Sequence, residues 1–194
     1  MEASKIKYLT LPIILAALML AAPVSAGAQG GSITLNVPHV KQEAGQLCWA
    51  ALVSQLLFQN PAGSRPSQCE LVNMINDIKG EGAANCCGNL NTPMCNITAN
   101  NREMISLMTN FGMKSEMINV PTSPEEVFNY LKSGRVLLLG VKTTANDNHI
   151  YMVRGISWEN NQAMLIVNDP YYETSVKVPF SQTQPTWLLA IVVG

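Results

Sequence analysis

The sequence changes its hydrophobic pattern once, close to Gly134, and this change constrains the fold more than any other feature. Upstream of it, apolar residues recur at spacings of three and four or cover a segment nearly all round, which predicts helices at 48–60, 69–79, 101–111 and 123–132. Downstream, short β-branched runs predict strands at 136–144, 149–157, 164–168, 175–179 and 187–193. Helices first and strands later favour an α+β fold with an antiparallel sheet, because a parallel sheet requires the two to alternate.

Capping and turn residues support these boundaries. Ser123 offers an N-cap, Pro124 occupies the first helical position and Glu126 the third, which is typical of a helix start. Turns are predicted at 146–148 and 159–161, where asparagine and acidic residues cluster. No internal repeat is visible, so the pattern indicates one domain.

The first 28 residues have the pattern of a secretory signal peptide. Lys5 and Lys7 precede an apolar run over 9–24, and small residues follow it. We therefore expect residues 1–28 to be removed on export, and residues 29–194 to form a single domain in the periplasm or outside the cell.

Charge and hydropathy exclude two classes of partner. The chain carries 12 basic and 13 acidic residues, and a near-neutral balance gives no reason to expect nucleic acid. No second apolar stretch reaches the roughly 20 residues that a membrane span requires. After signal cleavage we therefore expect a soluble exported monomer that does not contact a membrane.

Four of the five cysteines crowd together, at Cys69, Cys86, Cys87 and Cys95. In an exported chain such a cluster predicts two disulfides. Adjacent cysteines rarely bond each other, so two pairings stay open, in which Cys86 and Cys87 each bond to one of Cys69 and Cys95. A zinc site is the rival interpretation, but its usual C-x-x-C spacing is absent. By parity, Cys48 is left as a free thiol.

Cys48 belongs to a set of residues whose order is typical of a thiol enzyme. Gln42 lies six positions before it, and His149 and then Asn168 and Asp169 follow downstream. A cysteine in the first turn of a helix lies near unpaired backbone N–H groups, which favours the thiolate. A histidine then supplies the general base and acid, and the Gln42 amide and the Cys48 N–H supply donors for an oxyanion.

Residues 42–51 resemble the oxyanion-glutamine and cysteine-helix motif of the papain-like cysteine peptidases, with the same six-residue step and the same Cys48-Trp49 pair. The resemblance is to their short bacterial exported branch, which includes bacteriocin-leader peptidases and secreted effector peptidases. It extends over nearly the whole mature chain, through Val37-Pro38, Gln68-Cys69-Glu70, Cys86-Cys87, Cys95-Asn96, Gly134-Arg135, a strand from His149 to Gly155, and Asn168-Asp169-Pro170. It implies a papain-like fold in which an N-terminal helical half, with the cysteine helix, packs on a C-terminal antiparallel sheet.

The same resemblance implies a role for each site residue. Cys48 corresponds to the nucleophile, His149 to the base and acid, and Gln42 to the oxyanion donor, in a peptidase that hydrolyses protein or peptide substrates through a thioester. Papain uses an asparagine as the third member, whereas the bacterial branch has an aspartate before proline. Asn168 and Asp169 stand side by side on a strand, so only one of them can reach the imidazole. We choose Asp169 because of its match to the Asp-Pro pair.

Each of these residues also has an ordinary structural interpretation. Cys48 and His149 can be ordinary buried residues, and His39 is predicted to be structural, in an extended strand over 37–40. The resemblance implies no metal and no cofactor. Two alternative functions are another acyl-transfer enzyme, such as a transglutaminase or an amidase, and an inactive disulfide-stapled binding module. The Asp-Cys-Ser-Gly signature of cell-wall amidases is absent.

Overall fold

The computed structural model describes residues 31–58, 63, 65–82, 85–143 and 148–194. The predicted signal segment 1–28 and the predicted turn residues 146–147 lie outside the described residues. The assignment of Asn148 to that turn is wrong, because Asn148 begins a strand that runs to Glu159. Helices and strands in the described part follow the division that the hydrophobic pattern predicts.

The described residues form five helices. They are α1 (Cys48–Leu57), α2 (Gln68–Lys79), α3 (Asn101–Asn110), α4 (Pro124–Lys132) and the short α5 (Phe180–Thr183), which a 3-10 turn at Gln184–Thr186 continues. The side chain of Ser123 accepts a hydrogen bond from the Glu126 N–H, so the predicted cap of α4 is confirmed. The four predicted helices are found, and α5 was not predicted because one turn is too short to show a period.

In the part of the chain that the structure describes, seven strands form one antiparallel sheet. They are β1 (Ile33–Thr34), β2 (Ser115–Ile118), β3 (Val136–Lys142), β4 (Asn148–Glu159), β5 (Gln162–Asn168), β6 (Val176–Pro179) and β7 (Trp187–Val193). The order is β2-β7-β3-β4-β5-β6, with β1 beside β4. Asn160 and Asn161 adopt positive φ angles of 50° and 63° between β4 and β5, which confirms the predicted turn at 159–161. The short strands β1 and β2 were missed.

Residues 35–42, which we call the N-terminal arm, follow β1 and lead towards α1. The prediction of a strand over 37–40 is wrong, because these residues have no partner strand. Pro38 lacks an N–H, and side chains rather than a strand bind the carbonyl groups of the arm. One example is the Gln55 amide, which donates to the Val40 carbonyl at 2.9 Å.

The sheet carries a hydrophobic core on each face. Leu138 packs with the residues of α1, α2 and α3 on one face. Leu137 and Leu139 pack with Val127 and Leu131 of α4 on the other face. This alternation along β3 is what a strand covered on both sides requires. The α+β, papain-like arrangement with the cysteine helix packed on the sheet is confirmed, with α4 as an additional layer behind the sheet.

The clustered cysteines form two disulfides, Cys69–Cys87 and Cys86–Cys95, and Cys48 is free. The prediction of two disulfides is confirmed, and this is one of the two pairings that the sequence left open. Because all four sulfur atoms are in disulfides, these cysteines cannot bind zinc. Among the described residues, no helix is both long and apolar enough to cross a bilayer.

Candidate active site

Cys48 is the first residue of α1 and is partly exposed, whereas the rest of the first turn is buried. Leu47, at the N-cap, provides no side-chain hydrogen bond to the helix. The first backbone N–H groups of a helix have no intrahelical acceptor, so they are available beside the sulfur. The next residue, Trp49, is buried and anchors the helix start by donating from its indole Nε1 to the Ile97 carbonyl at 2.9 Å.

His149 lies near the start of β4, opposite Val141 of β3, and only 4% of it is exposed. Its Nε2 is 2.7 Å from Oδ1 of Asp169, the residue that follows β5. The antiparallel pairing of β4 with β5 brings the two together, although 20 positions separate them in the sequence. Asp169 Oδ1 also accepts a hydrogen bond from the Tyr171 backbone N–H at 3.0 Å.

Burial lowers the pKa of His149, since it disfavours the charged ring, but hydrogen bonds and opposite charge outweigh this effect. The hydrogen bond with Asp169 and the interaction with Cys48 raise the pKa from 6.5 to about 9. The ring is therefore an imidazolium at neutral pH. Because Asp169 binds Nε2, the interaction with Cys48 runs through Nδ1, a buried nitrogen that makes no hydrogen bond of normal geometry to the described residues. Catalytic contacts of this kind often tighten only when substrate binds.

Asn168 faces away from the imidazole. Its side chain is fully buried and is hydrogen-bonded to Gln55, Arg154 and Ser175. Asp169 therefore makes the contact with His149, and Asn168 does not.

The Gln42 side chain lies in the loop before α1, but its donors are already used. Nε2 donates to the carbonyl groups of Ala44 at 2.8 Å and Gly45 at 2.9 Å. Its Oε1 is buried and makes no hydrogen bond to the described residues. The backbone N–H of Gln42 donates to the Pro170 carbonyl at 3.0 Å, which holds the loop beside the Asp-Pro turn. One Nε2 hydrogen must leave its carbonyl before this amide can bind an oxyanion.

The second histidine of the chain also contacts the site, through the main chain. His39 Nε2 is 3.0 Å from the carbonyl oxygen of Asp169. This contact attaches the N-terminal arm to the residue that binds His149.

Sequence reasoning missed two features of the site. The ring of Tyr171 stacks on the His149 ring, with centroids 4.2 Å apart and planes 18° apart. Asn96, next to the disulfide-bonded Cys95, accepts from the Gln46 N–H at 2.8 Å and so supports the loop before Cys48. Neither residue is part of a periodic hydrophobic pattern. The only sequence signal for each is its position, since Tyr171 follows Asp169-Pro170 and Asn96 follows Cys95.

Cys48 and His149 open into a cleft of about 410 Å³. Its walls come from the N-terminal end of α3 and the residues before it, and from β3, β4 and β7. The residues that line it are Gln46, Cys48, Trp49, Thr98, Ala99, Asn100, Asn101, Met104, Gly140, Val141, His149, Ile150, Leu188 and Leu189. Apart from Cys48 and His149, none of these residues has a titratable side chain, so the cleft is suited to an uncharged segment of a ligand.

A model of the Peptidase_C39 like family matches residues 34–190 of the sequence, a span that includes both ends of the site just described. The chain belongs to the Peptidase_C39-like family. Membership makes this C39-like chain a cysteine-type peptidase. A search of curated proteins finds no significant match.

Solved structures share the fold of this C39-like peptidase. The peptidase domain of Streptococcus ComA, a bifunctional ABC transporter of a quorum-sensing pathway, is similar with a TM-score of 0.58 and 17% identity, over 81% of this chain and 98% of that one. A putative C39-like peptidase from Bacillus anthracis has a TM-score of 0.54 and 14% identity, over 84% and 97%. The digestive procathepsin L 3 of Tenebrio molitor has a TM-score of 0.51 and 11% identity, over 86% and 70%. The last likeness extends the fold to papain-like enzymes.

The Tyr171 stack leads to a testable expectation for the C39-like peptidase. Replacing Tyr171 by Ala removes an aromatic face from the His149 imidazolium and opens its hydrogen bond with Asp169 to water. Aromatic stacking contributes about 0.5–1.5 kcal/mol, so we expect kcat/KM for a peptide to fall by about 2- to 10-fold. Tyr171→Phe, which keeps the ring, is the matched control and should retain wild-type kcat/KM. Equal losses in the two variants would assign the effect to the hydroxyl instead.

Proposed function

We propose that this chain is a secreted cysteine peptidase that hydrolyses peptide bonds through a thioester acyl-enzyme on Cys48. The observation that carries the proposal is the position of His149, buried between the Asp169 carboxylate and the Cys48 thiol with a pKa raised to about 9. A charged imidazolium beside the sulfur favours the thiolate, which is the nucleophilic form.

The reaction then has two halves. The Cys48 thiolate attacks the scissile carbonyl carbon, and the oxyanion receives hydrogen bonds from the Cys48 N–H and from Gln42 after its side chain releases one carbonyl. His149 gives its Nδ1 proton to the leaving amine as the C–N bond breaks. In the second half His149 takes a proton from water, the hydroxide adds to the thioester carbon, and the C–S bond breaks to release the acid and restore the thiolate.

The assignment of Asp169 as the third member rests on its 2.7 Å contact with Nε2. That hydrogen bond holds the ring so that Nδ1 is turned to the thiol, and its charge stabilises the imidazolium. His39 contacts the main-chain carbonyl of Asp169, and Asn168 is its neighbour in the sequence. Neither residue lines the cleft that holds Cys48 and His149.

Export is supported by two independent features. Residues 1–28 carry a signal-peptide pattern, and the two disulfides suit an oxidising compartment. A peptide or protein is the substrate class, and the uncharged lining of the cleft favours a segment without charged side chains at the scissile bond.

A thiol-trapping experiment tests the proposal directly. The purified chain is incubated with an epoxide that reacts with papain-type thiolates, and the adduct is located by peptide mass. We expect one adduct, on Cys48, and a much slower reaction in His149→Ala, since that variant lacks the imidazolium. Cys48→Ser is the negative control, because it lacks the thiol. A folded, reduced wild-type chain that gives no adduct would exclude any enzyme acting through Cys48 and leave the binding module.

A second measurement separates hydrolysis from acyl transfer. Casein is incubated with the chain in the presence of a labelled primary amine. New amine termini are the expected product of a peptidase, whereas incorporation of the amine without new termini would identify a transglutaminase-like enzyme.

A further inference from the structure

A buried cluster of polar side chains lies on the opposite side of β5 from the catalytic imidazole, and Asn168 is its centre. Asn168 is fully buried, and its Oδ1 accepts from Arg154 Nε at 2.8 Å and from the Ser175 hydroxyl at 2.6 Å. A guanidinium can only donate. The arginine therefore determines which end of the Asn168 amide is oxygen, and Nδ2 points the other way.

The Nδ2 end of Asn168 binds the cysteine helix and the N-terminal arm. It donates to Gln55 Oε1 at 2.8 Å and to the Pro38 carbonyl at 3.1 Å. Gln55 is fully buried and in turn donates from Nε2 to the Val40 carbonyl. One amide pair thus joins α1, the arm and the end of β5.

Gln55 lies seven residues after Cys48 on α1, which places it two turns along and on the same face of the helix. Asn168 immediately precedes Asp169, and neighbouring residues at a strand end point to opposite sides. The hydrogen bond between Gln55 and Asn168 consequently spans the gap between the helix that bears the nucleophile and the strand that bears the partner of His149.

We propose that Gln55 and Asn168 are positioning residues, and that their hydrogen bond sets the distance and orientation of the Asp169 carboxylate relative to the cysteine helix. The inference rests on the proposed function of Cys48, His149 and Asp169. Buried amides are costly unless every donor and acceptor is matched, and a matched network allows one arrangement only. An apolar pair would fill the same space but would not tie Asn168, and with it the backbone that leads into Asp169, to the cysteine helix.

The titration of His149 reports this positioning without any need for catalysis. The chain has only two histidines, so His149→Ala identifies the ring signals of His149 in an NMR titration. We expect His149 to titrate near pH 9 in the wild type. In Asn168→Leu the carboxylate loses its fixed position, and the pKa of His149 should fall by about one unit or more. Gln55→Met and Ser175→Ala should shift it in the same direction by less.

Controls separate positioning from general stability. Leu165→Ala leaves a cavity in the same strand, on the face that packs against α4, and is expected to lower the thermal midpoint without moving the His149 titration. The double variant Gln55→Met, Asn168→Leu should shift the pKa no further than Asn168→Leu alone, because both changes break one link.

The outcomes are distinct. If Asn168→Leu does not fold, the Gln55→Met and Ser175→Ala titrations decide the question. Folded variants that titrate as the wild type does would overturn the positioning role. A wild-type His149 that titrates at the ordinary value near 6.5 overturns both this inference and the proposed triad. A raised wild-type pKa without any peptide hydrolysis would instead reject the proposed function alone.

Discussion

Cys48→Ala is expected to reduce peptide hydrolysis by on the order of 10⁴-fold or more, because no other free thiol occurs in the described part of the chain and the acyl-enzyme cannot form. His149→Ala should cause a loss of similar size. The two residues act as one unit, so the double variant should be no worse than either single variant. The measurement is kcat/KM for a quenched fluorescent peptide, at equal concentrations of folded protein.

A matched control for this prediction is His39→Ala. It removes the other histidine, whose Nε2 is 3.0 Å from the main-chain carbonyl oxygen of Asp169, and it should retain most of the activity. Hydrolysis that persists in Cys48→Ala, with the contaminating peptidases of the preparation excluded by their inhibitors, would show that the nucleophile is elsewhere.

Asp169→Ala is expected to lower kcat/KM by roughly 10²- to 10⁴-fold, because the imidazole loses both the hydrogen bond that orients it and the charge that stabilises its protonated form. The pH dependence should change as well. The wild-type imidazolium persists until the pH rises through about 9, so activity is lost on that side as the ring deprotonates. Without the carboxylate the pKa of His149 falls, and the alkaline limb of the profile moves to lower pH.

Asp169→Asn tests whether charge or orientation dominates. The amide keeps an oxygen that accepts from Nε2 but carries no charge, so a loss much smaller than that of Asp169→Ala would assign the main effect to orientation. Asn168→Ala should cost less than Asp169→Ala, because Asn168 acts only through its neighbour. If the order of these two variants were reversed, Asn168 would be the group that serves the imidazole.

Much of the fold was predictable because the hydrophobic period reports burial locally. The four longer helices and five of the seven described strands follow from apolar spacing, and the α4 start follows from Ser123, Pro124 and Glu126. The two strands that were not predicted, β1 and β2, were missed for the same reason. β1 has two residues, and β2 is half exposed, so neither has a pattern of its own, and each exists only because a longer strand offers it hydrogen bonds.

The N-terminal arm was assigned to the wrong structure. The Val-Pro-His-Val run over 37–40 has the composition of a strand, but Pro38 lacks the N–H that a strand ladder needs. The carbonyl groups of Pro38 and Val40 instead accept hydrogen bonds from the side chains of Asn168 and Gln55. Hydrogen bonds from distant side chains leave no periodic signal in the segment that receives them.

The sequence by itself identified the residues that we propose to perform the chemistry. A free cysteine at a helix start, a glutamine six residues before it, and a histidine followed by an Asn-Asp-Pro run define a small set of side chains that chain order alone identifies. Cysteine parity also separated Cys48 from the four that pair.

Only the tertiary structure decided how those side chains meet. In it, Asp169 rather than Asn168 faces the imidazole, and one of the two possible disulfide pairings is formed. The Gln42 amide donates to neighbouring carbonyl groups, and the Tyr171 ring stacks on His149. The physical reason is direction: composition and spacing specify which groups are present, whereas the direction of a side chain depends on strand register and on partners that are remote in the sequence.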